Sequence, residues 1–152
     1  MMCEEIRIVK ADSEILLQYE HDIENIMAFS NSVNFPDSKE SFSKENRFTE
    51  MVKYVNENHA QVFVALNKND FLGYVWLFKK SSERIHVNEI AVIPKAQKSG
   101  VGNKLLSCAD EYARECNCHT IELFCMESNN AARGFYETRK YETEKRLLIK
   151  RL

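Results

Sequence analysis

Three features of this 152-residue chain predict an α/β fold in which a mixed sheet carries helices on both faces. Short apolar runs of strand length alternate with segments whose apolar residues recur at helical spacing. No linker, internal repeat or low-complexity tract breaks the succession. Near the middle, an apolar strand feeds a glycine-bearing turn and then an amphipathic helix. The predicted order is β-α-α-β-β-β-α-β-α-β.

The first strand is expected at Ile6-Arg7-Ile8-Val9, followed by a helix that Asp12 or Ser13 caps. That helix carries Ile15, Leu16, Tyr19, Ile23, Ile26 and Met27, and a polar loop with Pro36 follows over residues 31–39. A second helix is expected over residues 43–58, with Phe48, Met51, Val52 and Val55 inward. Strands at residues 61–66 and 71–80 read as a hairpin, joined by Asn67-Lys68-Asn69-Asp70. The central strand begins near Arg84, runs through Val87-Asn88-Glu89-Ile90-Ala91-Val92-Ile93 and stops at Pro94. In the next helix Val101, Leu105, Leu106, Ala109, Tyr112, Ala113 and Cys116 share one face. A strand at residues 120–125, a short helix at 129–139 and a terminal strand at 145–152 complete the pattern.

The turn Gln97-Lys98-Ser99-Gly100-Val101-Gly102-Asn103 opens that central helix. A helix start presents unpaired backbone N–H groups and the positive end of the helix dipole, a combination suited to phosphate or pyrophosphate. The string G-x-x-x-x-G-K-[ST] of a P-loop is absent. A dinucleotide fingerprint would need a glycine where Leu105 stands. Two glycines at i and i+2 alone suit tight packing equally well.

The context of the turn narrows the choice. The pattern Q-x-x-G-x-G at Gln97, Gly100 and Gly102, preceded by Ala91-Val92-Ile93-Pro94, resembles the acetyl-CoA-binding motif of the GNAT (GCN5-related) N-acetyltransferases. A second block, Asn129, Ala132 and Phe135-Tyr136-Glu137, is similar to that family's N-x-x-A-x-x-x-Y-E element. The resemblance covers about residues 71–141. It implies a GNAT-type, mostly antiparallel mixed sheet and transfer of an acetyl group from acetyl-CoA to a primary amine by direct attack. It also implies that the strand Ile90-Ala91-Val92 splays from its neighbour. Ile90 N–H would then face the acetyl carbonyl and Val92 the pantetheine, while Gln97 to Asn103, with Lys98 and Lys104, would wrap the pyrophosphate. Asn129 would hold the pantetheine region. Tyr136 is where the family places the acid facing the CoA sulfur. Without that pattern, a helical aromatic between Phe135 and Tyr141 would read as packing.

Amine chemistry needs a base, because an alkyl ammonium of pKa near 10 leaves only roughly one molecule in a thousand neutral at pH 7. Strict alternation puts His86, Asn88 and Ile90 on one face of the strand and Val87, Glu89 and Ala91 on the other. His86 is the first candidate, since an imidazole titrates near neutrality. Glu89 is the second, through a bridging water. A lone strand histidine also suits a half-buried surface position. Phe124 stands where some protein-acetylating members carry a glutamate, and Lys140-Tyr141 replaces the usual helix-ending Gly-Phe.

Length and the 44% apolar content fit one domain over residues 1–152. No apolar run reaches membrane-spanning length, and Met1-Met2-Cys3-Glu4-Glu5 has no signal pattern. The odd set Cys3, Cys108, Cys116, Cys118 and Cys125 suggests reduced thiols and a cytoplasmic protein. The Cys116-Cys118-His119 spacing does not match a zinc site, and no metal is expected. The net charge of −2, without a basic stripe, gives no support for nucleic-acid binding, and no membrane partner is expected. Residues 11–38 carry six acids and no Lys or Arg, which favours a cationic amine or is simply a solvated face. Small-molecule and protein amines both remain open as acceptors, as does a homodimer. The alternative class is a non-catalytic acyl-CoA-binding sensor.

Overall fold

The computed structural model describes residues 5–152. Five strands form one sheet in sequential order: β1 (Ile6–Ala11), β2 (Gln61–Asn67), β3 (Asp70–Lys79), β4 (Arg84–Val92) and β5 (Thr120–Leu123). Each neighbouring pair is antiparallel except β4–β5, which is parallel because a helix connects them. On one face the core joins Val62, Val64, Tyr74, Trp76 and Ala91 to helices α1 (Ser13–Gln18), α2 (Glu20–Asn34) and α3 (Lys44–Asn56). On the other, Val75, Leu77, Ile85 and Val87 pack against Val101, Leu105, Ala109 and Ala113 of α4 (Val101–Glu115). Six of the seven residues predicted for the apolar face, Leu106 excepted, thus belong to the cluster on the sheet.

Helix starts follow local chemistry. Asp12 accepts from the Ile15 N–H at 2.9 Å, and the Ser43 hydroxyl accepts from the Asn46 N–H at 3.1 Å. The first expected helix is two helices. Tyr19 leaves helical geometry (φ −107°, ψ 18°), and its buried ring packs on Phe71 at 6.2 Å while its hydroxyl donates to Asn69 O. Tertiary packing of one aromatic residue outweighs the continuous helical pattern there. α2 then continues to Asn34, past the expected loop start. The last helix, α5 (Asn130–Thr138), ends without a glycine because Lys140 itself takes the left-handed conformation at φ 68°.

The terminal strand expected at 145–152 does not form. The segment is irregular, and Leu147, Leu148, Ile149 and Leu152 are 90, 88, 64 and 113% exposed. A strand needs a neighbour for its backbone groups, and among the described residues none bonds to this segment. Three consecutive apolar residues also point to both faces, which one short edge strand cannot cover. Among the described residues no helix is long and apolar enough to cross a membrane. Cys3 lies outside the described residues.

Candidate active site

The parallel pairing of β4 with β5 runs only from Arg84↔Thr120 to Val87↔Leu123. Beyond it, β4 continues to Val92 while β5 has ended, so a gap opens beside residues 88–92. Ile93 N–H donates to Leu72 O on the β3 side at 2.9 Å. Backbone N–H groups alternate sides along a strand, so those of Val92 and Ile90 point into the gap. Ala91 pairs with Tyr74 and is buried in the core under α1–α3.

At the end of β4 a 3-10 turn, Pro94–Ala96, leads into the glycine turn. Lys98 (φ 62°) and Gly100 (φ 92°) are both left-handed, and Gly100 is the N-cap of α4. No side chain caps that helix, so its first-turn N–H groups face outward from a concave backbone. The turn's own side chains are partly engaged elsewhere. Gln97 Nε2 donates to Val92 O at 3.1 Å, tying the turn to the strand, and the Ser99 hydroxyl donates to Ala96 O. The two glycines serve different ends. A Cβ on Gly100 would meet nothing within 4 Å but would sit on left-handed backbone; one on Gly102 would come to 3.0 Å from Phe135 Cζ. Gly102 therefore lets α5 lie against the start of α4.

The assignment of strand faces is corrected by a bulge. Trp76 pairs with Glu89 but Leu77 pairs with Val87, so Asn88 is the extra residue. His86, Glu89 and Ala91, opposite Phe78, Trp76 and Tyr74, consequently share the face under α1–α3. Glu89 is fully engaged there: it accepts from the Tyr74 hydroxyl and from Arg47 Nε and Nη2 at 3.0 and 2.8 Å. The Arg47 guanidinium lies 5.1 Å over the Trp76 ring. Burial, then the Glu89 charge, hold the Tyr74 hydroxyl well above the usual phenol range.

His86 is buried, between Phe78 and Phe124 with ring centroids 5.0 Å away on each side. Its Nδ1 lies 2.6 Å from Glu122 Oε2, on the residue that pairs with it across β4–β5. Glu122, absent from the sequence-based candidates, also accepts from Lys80 at 2.9 Å and Arg84 at 3.2 Å. Burial works to raise its pKa, but the Lys80, His86 and Arg84 hydrogen bonds outweigh that and pull it down to about 2. Only the register of β5 against β4 reveals this carboxylate, so no local motif could have signalled it.

Tyr136 lies on α5, its ring 5.5 Å from Phe135 and 5.7 Å from Tyr141. Burial, helped by the neighbouring Cys125 and Tyr141, raises its hydroxyl pKa far above the ordinary phenol value, so it stays protonated. Asn129 caps α5 by accepting from the Ala132 N–H at 3.2 Å and donates to Asn34 Oδ1 at 3.0 Å. Its amide thus ties the end of α2 to the start of α5.

The GNAT acetyltransferase family profile matches residues 21–141. The chain belongs to the acetyltransferase (GNAT) family. It is 33% identical over 94 residues to the uncharacterized N-acetyltransferase YhfO of Bacillus subtilis, a match covering 58% of this chain and 63% of that protein. Less than two thirds of the relative's length is therefore represented. A mutant of the BH1408 protein from Bacillus halodurans superposes with a TM-score of 0.81 at 14% identity, over 96% of this chain and 99% of that one. AAC(6')-Iy in complex with the bisubstrate analogue CoA-S-monomethyl-acetylneamine gives a TM-score of 0.72 at 13% identity, over 97% and 98%. At these identities the likeness is one of fold.

For a GNAT chain the residues present fit the CoA portion of acetyl-CoA. The uncapped α4 start, shaped by the two left-handed positions before it, and the Ile90 and Val92 N–H groups that point toward the β4–β5 gap are the backbone donors it needs. Two concavities among the described residues lie elsewhere. One of about 490 Å³ is bounded by Leu17, Phe48 and Val52, and one of about 370 Å³ by Phe42, Asn46 and Arg47. An extended ligand threading between strands needs an open slot rather than a closed cavity. Among the described residues no three His, Cys, Asp or Glu side chains are placed to hold a metal ion.

Proposed function

We propose that this chain, as a single domain, transfers the acetyl group of acetyl-CoA to a primary amine by direct attack. The supporting observation is the gap beside β4, into which Ile90 and Val92 N–H point, running to the open first turn of α4. Bound there, acetyl-CoA supplies an activated acyl group and a thiolate leaving group.

Ile90 N–H takes the carbonyl oxygen and so stabilises the charge that develops on it. Val92 N–H holds the pantetheine arm, and the backbone from Gln97 to Asn103, with Lys98 and Lys104 nearby, binds the pyrophosphate. Asn129 sets the position of α5. Tyr136, kept protonated by burial, donates to the sulfur as it leaves. Cys125 stays a thiol, because burial raises its pKa, with Arg133 opposing and Glu127 adding; this disfavours an acyl-cysteine route.

His86 is the base in this reading, oriented through Nδ1 by Glu122. With Asn88 bulged, His86 and Ile90 stand opposite Phe78 and Val75, about 10 Å apart along the sheet, so the proton travels through ordered water. Glu89 is a poorer base, since Arg47 and Tyr74 already occupy both of its oxygens. Its role is to hold α3 against the sheet.

Thermal unfolding with acetyl-CoA, dephospho-CoA and adenosine tests the cofactor site. The first two should raise Tm and adenosine alone should not. Equal stabilisation by adenosine would remove the pyrophosphate site from the account. Tight CoA binding with no thiol release from acetyl-CoA by any amine would favour a sensor.

A further inference from the structure

Exposed aromatic rings stand at the mouth of the β4–β5 gap, on the face that α1–α3 cover. Phe124 follows Leu123, the last residue of β5 to pair with β4, and shares a face with Glu122 two residues before it. Its ring meets the His86 ring edge-on at 5.0 Å, yet the residue is 84% exposed. A large apolar surface therefore stays in water beside the candidate base. Phe124 stands level with Asn88, two residues or about 7 Å along the strand from Ile90.

The loop between α2 and α3, residues 35–43, carries two further rings to the same mouth. Its ends are fixed on either side of the gap. Asn34, which closes α2, accepts from Asn129 ahead of α5, and Arg47 in the first turn of α3 binds Glu89 on β4. Phe35 and Phe42, on that loop, are 48 and 38% exposed. Solvated aromatic surface gathered around a reactive centre is suited to the apolar body of a ligand.

The charges on this face point the same way. Glu122 is already bound by Lys80 and Arg84, and Glu89 by Arg47 and Tyr74. Neither carboxylate is left to hold a second ammonium, so a polyamine gains nothing from them. An aromatic body gains by leaving water against the rings.

We propose that the acceptor is a monoamine on an aryl-alkyl body, its ring seated between Phe124 and the 35–43 loop. This assignment rests on the transfer reading above. With the amine nitrogen at the carbonyl beside Ile90, a two-carbon arm carries the ring back to Phe124. The ring faces also receive the ammonium before its proton leaves. Phe124 selects the body of the acceptor and takes no part in bond making.

Initial rates of CoA thiol release with phenethylamine, n-butylamine and spermidine test this. The parent chain should use phenethylamine with a kcat/KM roughly tenfold or more above the other two. Phe124→Ala should bring that ratio down to about one through the KM for phenethylamine, whereas Phe124→Tyr should keep it. A ratio is indifferent to a general loss of rate, so it stays readable if the neighbouring His86 shifts. Equal use of the three amines, a preference for spermidine, or a preference that survives Phe124→Ala would overturn the proposal and leave acetyl transfer standing. If no amine releases thiol, equilibrium binding of phenethylamine to the CoA-saturated chain decides. Binding lost in Phe124→Ala would keep the aryl site and remove the transfer reading; no binding would overturn both.

Discussion

His86 and Glu122 face one another across the parallel β4–β5 pair, Nδ1 of one 2.6 Å from Oε2 of the other. The pair sits below the point where the two strands part, on the same face as Glu89 because Asn88 is bulged. Lys80 and Arg84 complete the cluster around the Glu122 carboxylate. Its position, just below the gap beside residues 88–92, couples the stability of the sheet's end to the geometry of the candidate base.

This cluster sets an acid dependence. The folded-state pKa of Glu122, about 2, lies below the ordinary carboxylate value, so the charged form is favoured by folding. Its contribution is complete above about pH 5 and is lost as pH falls through about 4 to 2. Glu122→Gln should therefore lower Tm at neutral pH, and the gap to the parent chain should close in acid. Equal Tm losses at both ends of that range would detach the cluster from stability.

The two candidate bases are separable by variants. His86→Ala should lower kcat/KM by roughly ten- to a hundredfold at pH 7, with a smaller loss at high pH, where more amine is already neutral. Glu89→Gln should mainly cost stability, about 1–3 kcal/mol, because Arg47 and Tyr74 lose a charged acceptor. A stable Glu89→Gln with collapsed turnover, beside a silent His86→Ala, would exchange the two roles.

The turn glycines should respond differently. Gly102→Ala should destabilise by crowding Phe135, and a smaller residue at Phe135 should recover part of the loss. Gly100→Val, with free space but a left-handed backbone, should cost about 1–2 kcal/mol of strain and abolish the acetyl-CoA-dependent rise in Tm. If Gly102→Ala proved neutral, the close approach of α5 to α4 would not be what that glycine permits.

Much of this was legible from periodicity. The apolar face of α4 and the hairpin at Asn67–Asp70 follow from residue spacing alone, and the caps Asp12 and Ser43 from side-chain chemistry. The illegible parts depend on contacts between distant segments. The bulge at Asn88 is set by the β3 register, and one extra residue moves Glu89 to the opposite face. Glu122 meets His86 only because β5 pairs in parallel with β4. Tyr19 breaks its helix for a ring contact with Phe71. Residues 145–152 have strand composition but no strand beside them within one chain.

Tyr136→Phe bears on the leaving group. It should retain acetyl-CoA affinity while kcat falls by roughly ten- to a thousandfold, since only the proton donor is removed from a buried ring. Unchanged turnover would leave Tyr136 a packing residue beside Phe135 and Tyr141.

The most direct measurement of the central claim is release of CoA thiol from acetyl-CoA across a panel of primary amines, with the acetylated product identified by mass. Amine-dependent release is expected from the parent chain, lost in Gly100→Val and strongly reduced in Tyr136→Phe. Acetyl-CoA binding without release for every amine in the panel, or release that Gly100→Val leaves intact, would contradict it.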